Sequence, residues 1–300
     1  MVVLDTGSPL IQPELLPAPG GLLFPPPSCL TAAPTARAGP AAAGGASGML
    51  GGVATRFAFL DADGPIAFVH RGAAPHLENT LAAVDRIVEL GFGYLETDVQ
   101  ASRDGVALLM HDPTLDRTTD RSGAVAALPW AQIAQARVGG TEPVPRLEDL
   151  LGSYPQLRVN LDVKTPSAVG PLVAAVRRTG AVDRVCVASF HDRLLPRVRA
   201  ALGRRLCTSL GPREVLALRL GSLRRTDAGC AQVPPRHRRI RVIDRRFLDG
   251  AHRRGLPVHA WTIDDPAQMH QLLDLGVDGI MSGDAPALRE VLVSRQAWSG

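Results

Sequence analysis

Glu96 and Asp98 stand two residues apart, and Asp162 and Lys164 repeat that spacing further along the chain. In an extended strand, side chains at i and i+2 point to the same face. Two carboxylates on one inward face repel each other unless something positive lies between them. Three carboxylates (Glu96, Asp98, Asp162) converging on one mouth make a hard-oxygen site. It suits one divalent cation, Mg²⁺ or Ca²⁺, rather than a thiolate-seeking metal. His70 and His111 add imidazoles, which titrate near neutral pH and can act as general acid and base. Arg71 and Lys164 bring the positive charge that a phosphate needs as it nears its transition state. Metal, two histidines, Arg and Lys describe phosphoryl transfer better than carbonyl chemistry. The bland alternative is a structural salt-bridge cluster of the same acids with Lys164 and Arg71. For His76, His191, His237, His252, His259 and His270, each without such company, the structural reading is preferred.

These residues need a scaffold that brings separate strand ends together. From about residue 57, short apolar runs alternate with helical segments. Strands are expected at Ile66–His70, Tyr94–Val99, Val159–Val163, Arg184–Ser189, Leu206–Leu210, Ala231–Val233, Pro257–Thr262 and Gly279–Met281. Helices are clearest at Thr80–Leu90, Ala168–Thr179, Arg245–Arg254 and Pro266–Leu275, and Gly91, Gly180, Gly255 and Gly276 stand where they should stop. About eight strand-to-helix steps in roughly 235 residues is the arithmetic of a TIM (β/α)8 barrel, whose active site lies at the C-terminal strand ends. No GxGxxG turn follows the first strand, which counts against a doubly wound dinucleotide fold. One feature breaks the alternation. Arg103-Asp104-Gly105 separates the second strand from a further run, Val106–His111, and reads as a hairpin turn that sets Asp98 opposite His111. A small insertion, about 113–145, then precedes a helix at Leu147–Leu151.

Composition narrows the function classes. The 300 residues are 45% hydrophobic and 21% charged, with a formal charge of +4, ordinary for a globular enzyme-sized domain. Among the 33 basic residues Lys164 is the single lysine, so a chain that otherwise uses arginine keeps lysine at this one position. The basic run Arg236-His237-Arg238-Arg239-Ile240-Arg241 lacks interleaved aromatics, so nucleic acid is not an expected partner. A solvated loop is the preferred reading of that run, with weak contact to an anionic membrane surface as the alternative. No apolar run is long enough to span a bilayer. The four cysteines show no CxxC spacing, and Cys186, Cys207 and Cys230 read as small core residues of a reduced, cytoplasmic protein. Residues 1–53 are Pro-, Ala- and Gly-rich, nearly uncharged, and read as a disordered extension, or as untranslated sequence upstream of Met49. The folded domain is placed at 54–300.

The ordered series H-R-G, E-N-T, E-T-D-V, R-D-G, H-D-P-T-L-D-R-T-T, P-R-L-E-D-L-L, N-L-D-V-K, S-F, W-T-I-D and G-V-D-G-I resembles the glycerophosphodiester phosphodiesterases over about residues 66 to 290. The resemblance implies a metal-dependent barrel enzyme that hydrolyses a small-molecule glycerophosphodiester to sn-glycerol 3-phosphate and an alcohol. It implies that Glu96, Asp98 and Asp162 hold the cation, that His70 and His111 are acid and base, and that Arg71 and Lys164 grip the phosphate. Trp261 would line the substrate mouth. A lysophospholipase D activity on longer-chain diesters and a non-catalytic binding barrel are the alternatives. Three departures stand out. Asp162 occupies a place where the family usually has Glu, the Pro75-His76-Leu77 segment is one residue short, and the last strand ends Met281-Ser282-Gly283-Asp284.

Overall fold

The structure, a computed structural model, describes residues 56–299. The expected 1–53 extension lies outside the described residues. The alternation read from the sequence resolves into eight parallel strands: β1 (Ile66–His70), β2 (Tyr94–Ala101), β4 (Arg158–Val163), β5 (Val185–Ala188), β6 (Cys207–Thr208), β7 (Ala231–Val233), β8 (Val258–Ala260) and β9 (Gly279–Ser282). A short antiparallel strand, β3 (Ala107–Leu109), pairs with β2 alone. The ladder runs β6–β5–β4–β2–β1–β9–β8–β7. Its two ends meet in a parallel bridge between Ser209 and Cys230, supported by Leu210 N–H donating to Cys230 O at 2.9 Å. Each barrel strand is followed by a helix: α1 (Leu81–Glu89), α2 (Leu147–Ser153), α3 (Val169–Arg178), α4 (Leu194–Leu202), α5 (Pro212–Arg219), α6 (Arg245–His252), α7 (Pro266–Leu275) and α8 (Ala285–Ser294). This is the TIM-barrel arrangement expected from the sequence.

The two faces of each strand go to different places. Leu95, Val99, Val159, Leu161 and Val163 face outward and pack with the helices in one large apolar cluster. The alternate residues point to the barrel axis. There the lower part is apolar, with Ile66, Phe68, Tyr94 and Met281 packed over Phe57–Leu60, which closes the bottom. Higher up, the same inward rows turn polar at His70, Glu96, Asp98 and Asp162. Burying these groups is costly unless they are paired or put to use. Among the described residues, no helix is long and apolar enough to cross a membrane.

The hairpin differs from the expected one by a residue. Val99 pairs with Leu109, so Asp98 lies opposite Met110, whose N–H donates to Asp98 O at 3.1 Å. The cause is the loop. Ser102 N–H donates to Val106 O, which leaves three residues in the turn, with Gly105 at φ +79°. A two-residue turn on Asp104-Gly105 would have paired 98 with 111; the three-residue loop with a left-handed glycine is the next common solution and moves the register by one. Asp104 fixes that loop, accepting from Ser102 Oγ (2.6 Å) and Trp130 N (2.8 Å). His111 therefore lies beyond the ladder, at the barrel mouth. The insertion after it packs on its own small core, which includes Met110, Leu115, Val125, Ile133 and Val138.

Candidate active site

The mouth is a cavity of about 560 Å³ at the C-terminal strand ends, and every predicted site residue lines it: His70, Arg71, Glu96, Asp98, His111, Asp162, Lys164 and Trp261. At its base lies an ionic cluster. Lys164 Nζ sits 2.7 Å from Asp98 Oδ1 and 2.6 Å from Asp162 Oδ2. Arg71 Nε is 2.9 Å from Asp98 Oδ2, although its N–H is not aligned for a hydrogen bond, and Asn79 Nδ2 donates to the same oxygen at 3.1 Å. Burial opposes ionisation of Asp98, but Lys164 and Arg71 outweigh it and hold this carboxyl below its ordinary range. Burial also opposes the charge on Lys164, and Asp162 and Asp98 together more than restore it.

The other two carboxylates are less well satisfied. Burial, with repulsion from Asp98 and Asp162, pushes Glu96 well above the ordinary range, and burial raises Asp162 despite Lys164. Glu96 Oε2 and Asp162 Oδ1 are buried acceptors with no hydrogen-bond donor. Orphaned carboxylate oxygens in a polar cleft suit a hard cation. The donor chemistry thus fits Mg²⁺ or Ca²⁺. Lys164 now spans Asp98 and Asp162, so a cation shared by all three acids has to move the ammonium away from one of them.

The loop after β1 is shaped for this cluster. Arg71 N–H donates to Glu96 O at 2.8 Å, and Arg71, Gly72, Ala73 and Asn79 all have positive φ. A Cβ on Gly72 would come within 2.6 Å of Ala83 Cβ, so glycine lets this loop rest directly on α1. Asn79 is held from behind, accepting from Thr97 Oγ1 at 2.7 Å, while Thr80 caps α1 by accepting from Ala83 N–H.

The two histidines have different surroundings. Burial and the neighbouring Arg71 charge push His70 down to about 4, and its Nε2 lies 3.7 Å from Glu96 Oε2. His111 Nδ1 is 2.6 Å from Asp112 Oδ1. Asp112 is in turn gripped by Arg117, whose hydrogen bond holds its carboxyl near 2. Arg117 also donates to both oxygens of Glu78, and Glu78 lies 3.4 Å from Arg71 Nη1. A continuous chain of charges thus links the backing of His111 to Arg71. Glu78, Asp112 and Arg117 were not among the predicted site residues. Two of the recognised motifs contain them, but nothing in one sequence says that these motifs touch.

The far wall is apolar. Phe190 stacks edge-on against Trp261 at 5.6 Å, and Leu210, Val215, Leu216 and Ile240 continue the surface. Phe190, Leu216 and Ile240 are about 60% exposed (61%, 59% and 61%), which is unusual for such side chains in one place.

A parallel barrel with paired acids, two histidines and two cations at its C-terminal mouth is the apparatus of a phosphoryl-transfer hydrolase. Residues 70–287 match the glycerophosphoryl diester phosphodiesterase family. A Mycobacterium tuberculosis protein, "Probable glycerophosphodiester phosphodiesterase 2", is 40% identical over 263 residues, covering 84% of this chain and all of that one. A solved glycerophosphodiester phosphodiesterase from Agrobacterium tumefaciens superposes with a TM-score of 0.64 at 25% identity, over 76% of this chain and 99% of its own. A phosphodiesterase from Oleispira antarctica, solved with sn-glycerol-3-phosphate as product, gives a TM-score of 0.66 at 21% identity, over 77% and 97%. The chain belongs to the glycerophosphoryl diester phosphodiesterase family and is a phosphoric diester hydrolase, not a silent barrel.

Proposed function

We propose that the chain hydrolyses glycerophosphodiesters to sn-glycerol 3-phosphate and an alcohol, with one divalent cation held by Glu96, Asp98 and Asp162. The observation that carries this reading is the pair of donorless buried oxygens, Glu96 Oε2 and Asp162 Oδ1, in the cleft that also holds Arg71 and Lys164. When bound, the cation supplies Lewis acidity that lessens repulsion between the phosphate and the attacking oxygen. Arg71 and Lys164 draw the phosphate in and balance its charge. His70, held neutral at physiological pH, is suited to accept a proton from the attacking hydroxyl. His111, with Asp112 orienting its ring, is placed to deliver a proton to the departing alkoxide.

The test is release of sn-glycerol 3-phosphate from glycerophosphocholine by the full chain in EDTA, then after adding back Mg²⁺ or Ca²⁺. Release is expected to fall to background in EDTA and to return with one of the two. Undiminished release in EDTA would remove the cation from this reading.

The apolar wall favours a second substrate reading, a glycerophosphodiester that carries an acyl chain. Glycerophosphocholine has nothing to place against Phe190, Leu216 and Ile240, whereas a lysophospholipid tail would cover them. The exposed ribbon Arg236–Arg241, which carries Ile240, adds positive charge beside that wall, as contact with an anionic membrane surface requires. Burying an apolar side chain contributes about 1.5–3 kcal/mol. Phe190→Ser combined with Leu216→Ser is accordingly expected to raise KM for a lysophospholipid about tenfold or more, leaving KM for glycerophosphocholine within about twofold. Equal changes for both substrates would end the acyl-chain reading.

A further inference from the structure

Below the catalytic mouth, the barrel interior holds a second group of chemically capable side chains. Cys186 on β5, Cys207 on β6 and Cys230 just before β7 are, among the described residues, the free cysteines, and all three are fully buried. Cys186 and Cys207 are register partners on adjacent strands, and Cys230 forms the bridge that closes the barrel. One Sγ from each lies within 4.8 Å of the other two, and Cys186 Sγ is 3.9 Å from Cys230 Sγ. With Zn–S bonds of about 2.3 Å, a tetrahedral zinc site places its sulfurs about 3.8 Å apart. The cluster is therefore already near that spacing, and far too open for the disulfide S–S length of about 2.05 Å.

A fourth donor stands beside it. His259 on β8 is fully buried, its imidazole lies next to the Cys230 thiol, and its Nε2 has no hydrogen-bond partner. Gln232 on β7 has its own orphan, Oε1, while its Nε2 is 3.5 Å from His259 Nδ1. Two unsatisfied polar atoms on neighbouring side chains in a core are costly. If Nε2 of His259 binds a metal, its proton resides on Nδ1; because Gln232 Nε2 donates to Asn160 Oδ1 at 3.0 Å, offering Gln232 Oε1 to that proton requires the Gln232 and Asn160 amides to turn over together. A metal-bound histidine whose other nitrogen donates to a neighbouring acceptor is the usual pattern.

We propose that Cys186, Cys207 and Cys230 form a structural site for a thiolate-preferring d¹⁰ cation, zinc(II) in particular, inside the lower barrel, and that His259, which stands beside Cys230 but outside the three-sulfur group, turns in as the fourth ligand. Four protein ligands with no open position distinguish a structural zinc site from a catalytic one. Phe57, Phe59, Phe68 and Tyr94 lie in the same apolar cluster and keep water away from the site. Binding releases the thiol protons of the three cysteines, so uptake is expected to be pH-dependent. Because all three cysteines are fully buried, the site is expected to take metal during folding.

The experiment uses the full chain, unfolded in reductant and chelator and refolded with either zinc or cobalt(II). With zinc, metal analysis after gel filtration and brief EDTA treatment is expected to find about one zinc per chain, bound through sulfur at about 2.3 Å by X-ray absorption. With cobalt, thiolate-to-metal charge-transfer bands are expected in the near ultraviolet. Asp98→Asn, at the mouth, is expected to leave zinc content and cobalt bands unchanged, while Cys230→Ser or His259→Leu removes or shifts them. If a cysteine variant fails to fold, the absorption spectrum of the unaltered chain still decides the matter. A refolded chain without zinc, a metal bound through oxygen alone, or a Cys186–Cys230 disulfide found under non-reducing mass analysis would overturn the proposal.

Discussion

Replacing His111 with alanine is expected to lower kcat on glycerophosphocholine by roughly 10²–10⁴-fold, and replacing His70 by a similar factor. The two losses should part company when the leaving group changes. An alkoxide is a poor leaving group and needs a proton as the P–O bond breaks, whereas p-nitrophenolate leaves readily without one. His111 has the arrangement expected of a proton donor: its Nδ1 lies 2.6 Å from Asp112, which Arg117 keeps ionised, and its side chain lines the cleft. His70 has the opposite setting, because burial and Arg71 disfavour its protonated form. On a p-nitrophenyl phosphodiester, His111→Ala should therefore recover most of its lost turnover relative to wild type, and His70→Ala should not. Steady-state kinetics with both substrates measures the difference. Equal losses on both substrates for His111→Ala would show that His111 does not protonate the leaving group. Near wild-type turnover in either variant on glycerophosphocholine would remove that residue from the chemistry.

The parts of this site that were legible in the sequence are those governed by strand periodicity. Glu96/Asp98 and Asp162/Lys164 had to share a face if they lay on strands, and the order of strands and helices put those faces on one barrel axis. The hairpin register was legible only to within one residue, because Asp104-Gly105 suits a two-residue turn as well as the three-residue loop that forms. Contacts between distant loops left no periodic trace. Arg117 reaches Glu78 across 39 residues because the insertion folds back over the loop after β1. The apolar wall escaped notice for a similar reason: Phe190 and Ile240 come from two different strand-to-helix connections and Leu216 from α5, and each alone is an unremarked surface hydrophobe. The cysteines read correctly as buried, but their convergence depends on the register of β5 with β6 and on the closing bridge, neither of which a spacing reveals. His259 read as a structural histidine; its burial agrees, while its unsatisfied Nε2 is visible only in three dimensions.

The lysine kept at position 164 makes the second large effect calculable. Its ammonium, at the end of a side chain 17% exposed, is shared between Asp98, whose side chain is 1% exposed, and Asp162. Lys164→Met preserves the aliphatic stem but removes the charge. Asp98 retains Arg71 and Asn79, whereas Asp162 is left with no donor at either oxygen, since Oδ1 has none already. Removing one partner of a buried ion pair costs about 3–5 kcal/mol, because the other charge stays behind without compensation. Urea unfolding of Lys164→Met in EDTA is expected to show a loss of this size. Adding Asp162→Asn removes the stranded charge and should recover a large part of it, a coupling that a double-mutant cycle measures. Turnover should not recover with stability, because the double variant lacks both the cation proposed to balance the phosphate and one proposed metal ligand. Stability of the single variant within about 0.5 kcal/mol of wild type, the range of ordinary surface substitutions, would show that the cluster does not depend on the ammonium. Recovery of turnover along with stability would mean that Lys164 supports the barrel mouth without acting on the phosphate.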